Sequence, residues 1–195
     1  MEKLVNRNKV TIITVAKTAI VPMTIVVSVA TLYFILTMAV PQVSFTGGSW
    51  FGFRVADSLK ALILLNPFTN LGINIGALSV NLYSGRSLMS FYAIMPMIGL
   101  LVGFLAYKVS VKIGQKSHVK NLLVLAVYTA IMVTVIRINH TVIAYSAFAT
   151  MEAQIFFWSM WFQRFVSAMV AIGFGYPLFI GFSALKEKMN KDKEV

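Results

Sequence analysis

The chain reads as long apolar runs broken by short polar punctuation. The first run, Thr11 to Val40, exceeds the roughly 20 residues that one helical crossing needs, and Lys17 and Pro22 divide it. We place the crossing itself at about Thr18 to Val40, with an interfacial or helical lead-in before it and Pro22 early in the span, where a missing backbone donor costs least. Pro41 to Gly52, rich in glycine and free of lysine and arginine, reads as a loop. Two shorter runs follow, Phe53 to Leu65 and Leu71 to Tyr83, separated by Asn66-Pro67-Phe-Thr-Asn70. Each holds about thirteen residues, short for an upright crossing of a ~30 Å core. Three further runs complete the pattern: Phe91 to Tyr107, Asn121 to Ile138, and Phe156 to Phe182.

This pattern predicts an all-α integral membrane bundle of six transmembrane helices, the second and third short. It forms a single transmembrane domain over 1–185, followed by a charged cytoplasmic tail over 186–195. Composition agrees. Of 195 residues, 58% are hydrophobic and only 12% charged, where a soluble domain would carry about a quarter charged. The net charge of +11 comes from lysines and arginines parked at the ends of apolar runs, which speaks for a bilayer and against nucleic acid. Lys108, Lys112, Lys116 and Lys120 form a row after the fourth run and fix that loop as cytoplasmic. Counting crossings then puts both termini in the cytoplasm, with the 41–52 loop and the 139–153 segment outside. The expected location is the cell membrane, multi-pass.

The polar residues inside this apolar chain carry the functional question. Away from the two termini the acids are Asp57 and Glu152 alone. A charge in a bilayer costs roughly 2.5–3.5 kcal/mol even on lenient scales, so each needs a partner or a task. Arg54 and Asp57 stand three apart and could neutralise one another on a helix. Alternatively Asp57, flanked by Trp50, Phe51 and Phe53, holds a polar ligand at a cavity rim. On the third run Gly72 and Gly76 form a small face for close helix approach. Asn70, Asn74 and Asn81 lie near one another on another face; hydrogen bonding within the protein suits Asn74, and a ligand suits Asn81. Arg54, Asp57, Asn81, Arg137, His140, Glu152 and Arg164 all fall in the outer half of the predicted membrane, with Trp50, Phe53, Trp158 and Trp161. Tryptophans at that depth commonly form an interfacial belt. Polar groups and aromatics at one depth also describe a pocket for a flat heterocycle, with rings stacked and a carboxylate accepting parallel N–H bonds. The candidate site is therefore Arg54, Asp57, Asn81, Trp50, Phe53, Glu152 and His140.

Enzyme chemistry finds no support. His118 and His140 have no acidic partners at metal-ligand spacing, so no metal site is expected, and no cofactor. No glycine-rich phosphate loop with its lysine is present, so the chain is not expected to hydrolyse ATP. Without cysteine there is no disulfide or thiol chemistry. Three classes stay open: a solute-binding transport subunit, a stand-alone proton-coupled small-molecule carrier using Asp57 or Glu152, and a membrane scaffold.

Ala30-Thr-Leu-Tyr-Phe-Ile-Leu-Thr37, Phe53-Arg-Val-Ala-Asp-Ser-Leu59, and Gly72 to Gly76 followed by Asn81-Leu82 together resemble the QueT family. Gly175-Tyr-Pro-Leu178 matches the family's closing motif loosely, and the similarity is best over residues 30–85. The family comprises substrate-binding S components of energy-coupling-factor importers for queuosine precursors. The resemblance implies capture of a 7-deazaguanine base from outside. It also implies association with a transmembrane coupling subunit and two ATPase subunits that drive release inside. The family usually has glutamate where Asp57 stands, so the carboxylate here sits on a shorter arm. The family's acid in the last helix has no counterpart, Ser167 falling at about that position.

Overall fold

The computed structural model of the protein describes residues 2–40, 43–46, 48–86, 91–114, 117–145 and 150–191, the side chains of 2–19, 43–53, 92–93, 143–145 and 190–191 excepted. The elements in order are α1 (Glu2–Ala39), a hairpin of β1 (Val43–Thr46) and β2 (Gly48–Phe53), a 3-10 helix (Val55–Leu64), α2 (Pro67–Tyr83), α3 (Phe91–Ile113), α4 (His118–Tyr145) and α5 (Met151–Lys191). Among the described residues six helical segments thus build an all-α membrane bundle, as the hydropathy pattern predicts.

Among the described residues, four of these segments are long and apolar enough to cross a membrane: Ile20–Ala39, Ile94–Ile113, His118–Val142 and Met151–Met189. The other two are the short pair. The 3-10 helix is unusual in its ten-residue length, and at about 2 Å rise per residue it reaches roughly 20 Å. α2, at 17 residues, reaches roughly 25 Å. Asn66 starts α2 by accepting from the backbone N–H groups of Phe68 and Thr69 at 2.8 and 2.9 Å, with Pro67 in the first turn, where its missing donor is harmless.

The short 3-10 helix is the centre of the bundle. It packs against α5, α1, α2 and α3, while α2 lies between α1 and α3, and α4 between α3 and α5. Residues 61–65 are all buried, and Leu59, Ile63, Leu64, Leu125, Ile172 and Phe179 share one core cluster. α1 instead turns Ile20, Val27 and Ile35 outward, as a lipid-facing helix does.

Glycines set the closest approaches. A side chain at Gly72 would meet the Val26 carbonyl at 2.8 Å, and one at Gly76 the Ala30 carbonyl at 2.7 Å, so the Gly72–Gly76 face carries α2 onto α1. Gly175 brings α5 against the Ser58 backbone, and Gly103 and Gly99 give the side-chain amides of Asn70 and Asn74 their room. One detail differs from the sequence reading. Part of the expected 41–52 loop is a hairpin, with Val43 opposite Phe53 and Thr46 opposite Gly48, built from β-prone Val, Phe and Trp. The lead-in before residue 18 is continuous with the first crossing, and Pro22 lies within that helix.

Candidate functional site

A cavity of about 310 Å³ is sunk into the end of the bundle nearer the hairpin. It collects residues from late α1, the 3-10 helix, late α2, early α3, late α4 and the first half of α5. On the orientation given by the lysine bias, this is the outer end; Lys108, Lys112, Lys120 and Lys186 lie at the other.

The acidic centre follows from the 3-10 geometry. Three residues per turn place Asp57 and Lys60 in one column, and their ion pair closes at 2.7 Å. Arg54 would continue the column, but it precedes the helix with an extended backbone (φ −82°, ψ 127°), which takes it out of line. The neutralising partner of Asp57 is therefore Lys60, which the sequence reading passed over, and not Arg54. Tyr33 donates to the same carboxylate oxygen, Oδ1, at 3.3 Å. Among the described residues Asp57 Oδ2 has no hydrogen-bond partner.

Around this centre the walls are cationic and aromatic. Arg54, Arg86, Arg137 and Arg164 line the cavity with Lys60. Arg137 is buried, with Nη1 3.4 Å from His140 Nδ1, and Arg86 donates to Asn81 Oδ1 at 3.1 Å. Tyr33, Tyr128 and Phe91 supply rings, and Ile73, Met95 and Met132 supply aliphatic surface. Aromatic and aliphatic walls with a few converging polar groups are the usual make-up of a small-molecule site.

Of the seven residues proposed from sequence, Arg54, Asp57, Asn81 and His140 line this cavity. Glu152 does not: it is exposed in the first turn of α5, where a carboxylate meets the favourable end of the helix dipole. The side chains of Trp50 and Phe53 lie outside the described residues; their backbone forms β2, which contacts α5. Trp158 is exposed, and Trp161 donates to Thr134 at 2.9 Å and stacks on Phe165, so neither lines the cavity. Lys60, Tyr33 and Tyr128 are lining residues that sequence reasoning missed. Period-three spacing from Asp57 would have found Lys60.

Asn70 and Asn74 have a different fate. Asn74 donates to the backbone and side-chain oxygens of Asn70, both at 2.9 Å, and Asn70 donates to the Leu100 carbonyl at 2.8 Å. Asn74 touches the floor of the cavity, but its amide is committed to the protein.

A polar, ring-walled cavity in one end of an apolar helical bundle defines a multi-pass membrane protein that handles a small solute. The chain belongs to the QueT transporter family, whose model matches residues 11–184. Among curated proteins and among solved structures, none matches it. Its role is membrane transport, and it is a transporter rather than an enzyme. Among the described residues no cluster of His, Asp and Glu could hold a metal ion.

Proposed function

We propose that this chain is the substrate-binding S component of an energy-coupling-factor importer and that it captures a 7-deazaguanine base, or a similar small heterocycle, from outside. A transmembrane coupling subunit and two ATPase subunits would supply the work of transport. The observation that carries this reading is the convergence of Arg54, Asp57, Asn81 and His140 on one outer cavity. The Asp57 carboxylate suits an N–H edge of the base, while Tyr33, Tyr128 and Phe91 offer faces for its rings. Below the cavity the bundle is filled by Leu62, Ile63 and the Asn70–Asn74 amides, an arrangement that suits a binder relying on partners for release.

The test is a melting-temperature screen of the detergent-purified protein against purines, deazapurines and vitamins, paired with uptake in liposomes. We expect stabilisation by a 7-deazaguanine and no uptake by this chain alone. Proton-driven accumulation in liposomes without any ATPase would make it a carrier instead. No shift with any purine-like compound would remove the base from the reading.

A further inference from the structure

Lys60 is out of place for a lysine of this chain. Every other lysine stands within the first 17 residues, between 108 and 120, or after residue 185, where the positive-inside bias accounts for it. Lys60 instead sits on the 3-10 helix at the centre of the bundle, between the buried residues Leu59 and Ala61. A lysine in such surroundings needs a partner or a task. The partner is Asp57, whose Oδ1 is 2.7 Å from Lys60 Nζ. Stability alone does not account for the pair, because apolar side chains packed in its place would serve as well or better. Its position speaks for a task. Both side chains keep some exposure, 26% for Lys60 and 19% for Asp57, and both line the cavity instead of being closed over by packing.

The pair sets a donor and an acceptor side by side on one wall. An ammonium has three donors and a carboxylate about four acceptor sites, so their mutual contact uses only part of what each offers. The three-residue turn keeps the two heads in one column, and Tyr33, donating to the same Oδ1, steadies the carboxylate from α1. We infer that Lys60 is a specificity-determining contact for the substrate: its ammonium donates to a carbonyl oxygen on the ligand's ring, while Asp57 accepts from the N–H beside that carbonyl. A cyclic amide edge carries those two groups on neighbouring ring atoms, which suits two heads 2.7 Å apart. This assignment rests on the cavity being the substrate site, and it names the residue there that reads the carbonyl.

The test is a double-mutant cycle on the full-length protein in nonionic detergent, read by calorimetry. The ligand is changed from 7-deazaguanine to its 6-thio analogue, which keeps the ring N–H and puts sulfur, a weak acceptor, in place of the carbonyl oxygen. The protein is changed by Lys60→Met and, separately, by Lys60→Arg. We expect the unaltered protein to bind the oxo compound at least about tenfold tighter than the thio compound, the usual worth of a hydrogen bond from a charged donor. Lys60→Met should bring the two affinities within about threefold of one another, and Lys60→Arg should keep part of the preference. With a purely structural ion pair, Lys60→Met would weaken both ligands alike and leave their ratio unchanged; that result would overturn the inference. Equal binding of the two by the unaltered protein would overturn it as well, whether or not the variants fold, and would leave the cavity standing as a substrate site. Binding of neither compound would strike the proposed substrate itself, and this contact with it.

Discussion

The two ends of α2 carry the same kind of residue to opposite ends. At the inner end Asn70 and Asn74 are buried amides whose donors meet protein oxygens, in space left by Gly103 and Gly99. At the outer end Asn81 lies on the wall of a cavity with Arg86, Arg54 and Asp57. An amide in an apolar helix must find a partner in either place. At the inner end the chain supplies it, which stiffens the bundle. At the outer end several polar side chains from different helices converge on open volume, which gives a guest something to hold. The role of a polar residue here is set by what it faces, packed protein or space.

The strongest challenge to that contrast comes from filling the inner space. Gly103→Val puts a methyl-bearing carbon where the Asn70 amide sits. Overpacking typically costs about 1–3 kcal/mol, and displacing a buried amide adds about 1–3. We expect the variant to lose most of its folded yield, with a lowered melting temperature in detergent. A protein that melts as the parent does would mean the inner amides are not the fixed element described above.

Next comes Asp57→Asn, at the outer end. It keeps an acceptor for Tyr33 but loses the charge that meets Lys60. We expect ligand affinity to fall by about tenfold or more, since losing a charge-assisted partner costs about 1.5–3 kcal/mol. Titration calorimetry with the best ligand checks it. Unchanged affinity together with lowered stability would move Asp57 into the same class as Asn70.

Trp161→Phe probes ground between the two. The indole N–H bonds Thr134, linking α5 to α4, and the ring stacks on Phe165 at 5.0 Å. Phenylalanine retains a ring and loses the bond, so stability should fall by about 0.5–1.5 kcal/mol with ligand affinity unchanged. A loss of affinity would extend the functional region beyond the cavity wall.

These roles were unevenly legible in the sequence. The six helices and the shortness of the second and third followed from run length and lysine placement, because hydropathy acts over whole segments. The Gly72–Gly76 contact also followed, since small residues four apart have one obvious use in a membrane helix. What stayed hidden depended on local geometry. Reading 54–60 with an α-helical period gave Arg54 to Asp57, whereas the 3-10 turn and the extended Arg54 backbone gave Lys60. The hairpin was masked by the glycines and proline around it, which signal a turn more loudly than Val43, Phe45 and Trp50 signal a strand. Glu152 shares a predicted depth with the cavity residues, but depth alone does not say which way a helix presents a side chain. Tyr33 and Tyr128 look like ordinary core aromatics, and only packing shows that they border open space.

The smallest effect expected is at the inner end of the 3-10 helix. Helix ends leave carbonyls without partners, and a 3-10 helix standing in the middle of the bundle cannot rely on water for all of them. Thr69 takes the Leu62 carbonyl at 2.7 Å, and Lys186, far along α5, reaches the Leu65 carbonyl at 3.3 Å. A cation at a helix C-terminus is worth about 0.3–1 kcal/mol, and Lys186 is an exposed residue, so salt weakens the contact. Lys186→Met should thus lower stability by no more than about 1 kcal/mol, with the difference shrinking as salt is raised, as thermal melts at two ionic strengths would show. Because this contact lies at the opposite end from the cavity, ligand affinity should not change. Should affinity fall with it, the inner end would be energetically coupled to the cavity, and the two halves of the bundle would have to be treated as one machine.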